Sequence, residues 1–135
     1  MIVSRARVPR IMIEIGPGEL CDRLSILRLK AKHGQGLPSA PALRQARDEL
    51  ENRRAALDLG PQVEEQEDEL AEVNRMLWEI ESAIRARERM GDFSREYVQL
   101  AHQVPRLNDR RSALKKRIDR ACGYVNPAET KIYLG

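Results

Sequence analysis

Apolar residues recur at alternating steps of three and four along two long stretches of the chain. The first reads Val63, Leu70, Val73, Leu77, Ile80, Ile84, with Gln66 in one inner slot. The second reads Phe93, Tyr97, Leu100, Val104, Leu107, Arg111, Leu114, Ile118, Ala121. That period sets each group on one narrow stripe of a helix. Only Met90-Gly91-Asp92 separates the two stretches, which is too short for anything but a tight reversal. Residues 61–122 therefore read as an antiparallel helical hairpin closed along an a/d seam. A turn centred on Gly91 makes Glu67 and Lys115 flank neighbours and sets Arg111 opposite Glu72 and Val73.

Two shorter helices precede the hairpin. Leu20, Leu24, Leu27 and Ala31 form the seam of one, over about Glu19 to His33, with Pro17 in its first turn and Glu19 and Asp22 complementing its positive end. Gly34 to Pro41 stops it and forms a loop. Leu43, Ala46, Leu50, Arg53 and Leu57 repeat the heptad step in the next, over about Ala42 to Leu57. Gly60 and Pro61 end that helix and start the hairpin. The hairpin's own helices cover about 62–89 and Ser94 to Cys122, with Asp92 or Ser94 as the cap of the latter. Pro105 falls inside that last helix, where it removes a backbone hydrogen bond; the apolar phase runs on from Val104 to Leu107, so a kink is expected, not a break. Before the helices, Ile11-Met12-Ile13-Glu14-Ile15 is rich in β-branched residues and meets Gly16-Pro17-Gly18, the pattern of a short strand and turn. Lys131-Ile132-Tyr133-Leu134 near the other terminus is a matching partner for it.

Composition sharpens the picture. Of 135 residues, 33% are charged and 4% aromatic, as in long amphipathic helices. No segment approaches the ~20 apolar residues of a membrane span, and no apolar run follows the first basic residues as in a secretory signal. The net charge of +3 comes from Arg5, Arg7 and Arg10, which stand in the first eleven residues without an acid. The folded body is balanced in charge, which argues against a nucleic-acid footprint. We divide the chain into a basic arm, 1–11, and a single helical domain, 12–135. Cys21 and Cys122 form no CxxC pair and read as small buried hydrophobes of a reducing cytoplasm, not as a disulfide.

Three local motifs stand out: Pro17-Gly18-Glu19-Leu20-Cys21-Asp22-Arg23 followed by Ile26-Leu27; Leu77-Trp78-Glu79-Ile80-Glu81 followed by Ile84-Arg85; and Asn108-Asp109-Arg110-Arg111 followed by Lys115. With Lys131-Ile132-Tyr133 in the tail, they resemble a small bacterial family of uncharacterised all-helical proteins of about this size, a domain of unknown function. The resemblance spans about residues 11–134. It departs from the family pattern at Ser82, where an acid is common, and at Pro105, where an aromatic is common. It implies an all-helical fold and no particular activity.

Arg111 is the sharpest anomaly, a charge in a seam between Leu107 and Leu114. Such a charge costs stability unless it is paired and hydrogen-bonded. We read it as a residue whose stem packs while its head reaches Glu69 or Glu72, with Asp22, Glu19 and Glu81 as other carboxylates in range. The rival reading presents its guanidinium to an anionic ligand. Arg53, a second seam arginine, is expected to snorkel to solvent, and Trp78, one position outside the seam beside Leu77, to pack under the first helix and not to mark an exposed contact surface. Glu79, Glu81, Glu88 and Asp109 are too scattered for a metal cluster, Glu79 and Glu81 pointing about 200° apart on the helix. His33 and His102 have no local partner, and Gly16-Pro17-Gly18 lacks the length and ending of a phosphate loop. No cofactor or metal is indicated.

The expectation is thus an all-α fold: an antiparallel four-helix arrangement dominated by a long hairpin, with the termini placed to pair as two short strands. The leading function is a cytoplasmic binding or assembly module acting through helix-face protein contacts, as a homodimer with room for a protein partner. The alternative is a small enzyme or anion-binding protein using Asp22, Arg23, Trp78, Arg85, Asn108, Asp109 and Arg111. Convergence of those groups in one cleft favours the alternative; dispersal into separate pairs favours the module.

Overall fold

The computed structural model describes residues 8–125, which form α1 (Pro17–His33), α2 (Ala40–Ala55), α3 (Pro61–Arg89) and α4 (Arg95–Ala121). The architecture is the expected all-α one, with a long α3–α4 hairpin. Pro17 and Pro61 open their helices, where a missing N–H costs nothing and φ is already helical. α2 ends two residues earlier than its heptad suggests, so Leu57 lies outside it and is 39% exposed. α4 runs unbroken through Pro105, which sits on its exposed side.

The reversal between α3 and α4 depends on Gly91, at φ +68°, a left-handed conformation that a side chain disfavours. Asp92 locks it from both sides. Its Oδ1 accepts from the Ser94 N–H at 3.0 Å and its Oδ2 from Arg87 at 2.7 Å.

The core follows the seam. Val63, Leu70, Val73 and Leu77 of α3 meet Leu107, Leu114 and Ile118 of α4, and Cys21 of α1 closes over them. Burial of each large side chain contributes about 1.5–3 kcal/mol. α1 lies in the groove of the hairpin and packs on both of its helices, parallel to α3 and antiparallel to α4, because Gly18 meets α4 near Asp119 and His33 meets Trp78 of α3. The α2 backbone packs on α1, and α2 is tied to α3 by a side-chain ion pair. Its apolar positions Leu43, Ala46 and Leu50 are only half-buried. Arg54, not Arg53, is its inward arginine, paired with Glu67 of α3 through Nε at 2.9 Å. Arg53 stays in solvent beside Glu49, as expected.

The strand expected at Ile11–Ile15 does not form. Ile11, Met12 and Ile13 are 86%, 95% and 69% exposed in an extended segment with no neighbouring strand among the described residues to satisfy its backbone. The intended partner, Lys131–Leu134, lies outside the described residues. No helix among the described residues is long and apolar enough to cross a membrane.

Candidate functional site

Only one of the expected anomalies becomes a buried polar centre. Asp22 points from α1 into the hairpin groove and is 1% exposed. A carboxylate so placed must be fully paired. Arg111 supplies a bidentate grip, Nε to Oδ1 at 2.8 Å and Nη2 to Oδ2 at 2.6 Å. Asn74 of α3 adds its side-chain N–H to Oδ1 at 2.9 Å and donates to the Ser25 hydroxyl at 2.9 Å. Asp22, Ser25 and Asn74 are buried, while the Arg111 side chain keeps 29% of its surface. The cluster therefore bolts α1 to both helices of the hairpin at one level. Its hydrogen bonds to Asp22 raise the guanidinium pKa of Arg111 above its ordinary value, against the downward push of burial.

The carboxylate that claims Arg111 is thus not Glu69 or Glu72. Glu72 is held on its own helix by Arg75, at 2.9 Å from Nε, and Glu69 is exposed. The groove occupied by α1 lies on the other side of the seam, and the helix that fills the groove brings its own acid.

One turn toward the start of α1, Glu19 accepts from Lys115 of α4 and from Arg23 at 2.8 Å. Burial pushes the Glu19 carboxyl up, but Lys115 and Arg23 together outweigh it and hold the pKa below the ordinary value. At the end of the row, Asp119 of α4 accepts from the Gly18 N–H at 2.8 Å. This acid caps the positive end of α1 from a neighbouring helix. The contact demands glycine, because a Cβ on Gly18 would stand 2.3 Å from the Lys115 carbonyl oxygen. Gly16 is also crowded, but by side chains, with 2.5 Å from a built Cβ to the Tyr124 ring. The Gly16-Pro17-Gly18 pattern predicts a turn and carries no local sign of this contact.

Arg23, Trp78 and Arg85 do not join the cluster. Arg23 is exposed and spent on Glu19. Trp78 is half-buried at the far end of α1, stacked on His33 with ring centroids 4.9 Å apart and planes at 15°. It borders a groove of about 370 Å³ between α1 and α3 that also holds Arg28, Lys32 and Arg75. Arg85 is exposed on α3 beyond the reach of α1, Asn108 is half-buried and Asp109 exposed on α4. Ser25 and Asn74 were not anticipated. Asn74 had a signal, a neutral amide one step off the stripe between Leu70 and Leu77, where a charged flank residue is the norm.

Neither cysteine is placed as a nucleophile. Cys21 is buried, and burial together with the Glu67 carboxylate pushes its thiol up to about 12. Cys122, expected to be buried, is exposed just past the end of α4, and both are free thiols. Among the described residues, no group of three or more His, Cys, Asp or Glu is arranged to hold a metal ion. No known protein family, curated protein or solved structure matches the chain.

Proposed function

We propose that this protein is a cytoplasmic binding or assembly module that acts through helix-face protein contacts and works as a homodimer. The observation that carries this reading is the closure of the polar centre. Both oxygens of Asp22 are taken by Arg111 and Asn74 from within the chain, and a general base or nucleophile needs a lone pair aimed at a substrate. Arg23, Trp78 and Arg85 are dispersed, which weighs against the enzyme or anion-binding alternative. What the fold leaves open is helix surface on the hairpin. The resemblance to a small bacterial all-helical family belongs to the same proposal and adds no activity to it.

Light scattering across a concentration series tests the reading. The expected species has twice the 15.5 kDa chain mass. A monomer at high micromolar concentration would overturn the homodimer.

A further inference from the structure

The ion pairs of this fold are distributed unevenly. On the side of the hairpin where α1 and α2 lie, opposite charges meet: Asp22 with Arg111, Glu19 with Lys115, Glu67 with Arg54. On the opposite side of the hairpin no described helix is packed. At 100° per residue, that back face receives Glu65, Glu69 and Glu72 from α3, and Arg106, Arg110 and Arg117 from α4. Among the described residues, Glu65, Glu69, Arg106, Arg110 and Arg117 make no ion pair, and all are exposed. Along this stretch one edge of the face is therefore acidic and the other basic, and apart from Glu72, which Arg75 holds, neither edge is neutralised among the described residues.

We propose that the back face is the homodimer interface, and that the twofold axis runs along the hairpin, so that α3 of each protomer lies on α4 of the other. This inference rests on the homodimer reading above and specifies its geometry. A twofold along the hairpin preserves height. Asn74 and Arg111 stand level, since both hold Asp22, so Arg117 stands level with Glu65 to Glu69, and Arg110 near Glu72. The acidic edge then meets the basic edge twice. A twofold perpendicular to the hairpin within the face would set α3 on α3 and oppose like charges, which is costly at an interface. The chosen arrangement also makes every neighbouring helix pair antiparallel, an all-antiparallel four-helix bundle. At the tip, the axis brings together the exposed Met90 and Phe93 of both chains, 82% and 63% open in the single chain. The face is about 40 Å long and two helices wide, about 800 Å² per protomer, the size of a standard stable interface.

Charge reversal tests both the face and the axis. Glu65→Arg/Glu69→Arg in one chain, and Arg110→Glu/Arg117→Glu in another, should each weaken self-association at least about tenfold in sedimentation equilibrium. Circular dichroism should be unchanged, because these side chains are exposed. Mixing the two variants should restore a dimer of wild-type stability, because each acidic edge then meets a basic one. A single chain carrying all four reversals should also dimerise with itself, because its exchanged edges are again opposite in sign. In an α3-on-α3 arrangement neither single-edge reversal would change the like-charge opposition, so the weakening of each variant alone reads the axis. A wild-type chain that stays monomeric overturns the homodimer reading and this inference with it. Wild-type dimers that survive both reversals, or a mixture that fails to recover, overturn this inference alone.

Discussion

The two halves of the hairpin carry the same heptad and reach different ends. In the half next to α1, Leu70 and Val73 are 0% exposed and Leu114 and Ile118 no more than 2%. In the half toward the turn, Ile80, Ile84, Leu100 and Val104 are only half-buried, and Phe93 at the tip is 63% exposed. The helices do not differ in period or in apolar content. They differ in cover, because α1 is a 17-residue helix beside one of 29 residues and stops near Trp78. A heptad thus decides which face of a helix turns inward, and a third helix decides how dry that face becomes. The covered half is also where polar groups are fixed, since only there does burial force a charge to find a partner.

The largest way to break this contrast is to unbolt α1. Arg111→Ala strands the Asp22 carboxylate in the groove and should cost about 3–5 kcal/mol in denaturant unfolding. Replacing both, Asp22→Leu with Arg111→Met, should recover much of that loss, because no buried charge is left unpaired. An unchanged midpoint for Arg111→Ala would mean that the Asp22 pair is not structural, and the ligand-binding reading would return.

A paired truncation measures the contrast directly. Leu70→Ala in the covered half should cost about 2–5 kcal/mol by the lost burial and the cavity it leaves. Leu100→Ala, with its side chain already half in water, should cost roughly 1 kcal/mol in the monomer. Equal losses at the two sites would show that the distal half is covered after all. Cover supplied by another chain would then reveal itself on dilution, where the two losses should separate again.

Most of this fold is legible in the sequence because helical period is a local signal. The four helices, the reversal at Gly91 and the continuity through Pro105 all follow from spacing within a few turns. The candidate site is legible only in part. Arg111 betrays itself by interrupting a seam, and Asp22 by its place in the motif that opens α1. Their mutual choice is not written locally, because α1 and α4 meet across most of the chain. The likeness of Ile11–Ile15 to a strand misleads for a related reason. β-branched residues favour extended backbone, but a strand also needs a neighbour. The glycines at the start of α1 show the opposite failure: a turn signal conceals a helix contact that only three-dimensional packing reveals.

Gly18 gives the next step down in effect. A methyl group there would collide with the α4 backbone at Lys115 and crowd Asp119. Gly18→Ala should therefore lower stability by about 1–3 kcal/mol, as overpacking does, although alanine is the better helix former. Gly91→Ala, at the uncovered tip, meets no neighbour within 4 Å and suffers only from its positive φ. It should cost less, about 1 kcal/mol. If thermal melts rank these two substitutions in the reverse order, α1 is not in close contact with α4.

The smallest expected effect concerns pH. Glu19 sits at the α1–α4 junction with its side chain 17% exposed, and Lys115 and Arg23 hold its carboxyl below the ordinary value against the upward push of burial. A carboxylate with a lower pKa when folded than when unfolded stabilises the fold at every pH above its unfolded value, about 4.3. That contribution disappears as the pH falls through the folded pKa, because the folded and unfolded chains then bind the same proton. The wild-type melting temperature should therefore drop in the acid range below about pH 4.3 by an amount that Glu19→Gln lacks. Asp92 at the turn is also held down, by the Ser94 hydrogen bonds first and then by Arg87. It lies at the open tip, where water screens such pairs, so Asp92→Asn should flatten the acid limb less than Glu19→Gln does. Equal flattening by the two would show that the α1–α4 junction is as open to water as the tip, and it would remove the electrostatic side of the contrast between the halves.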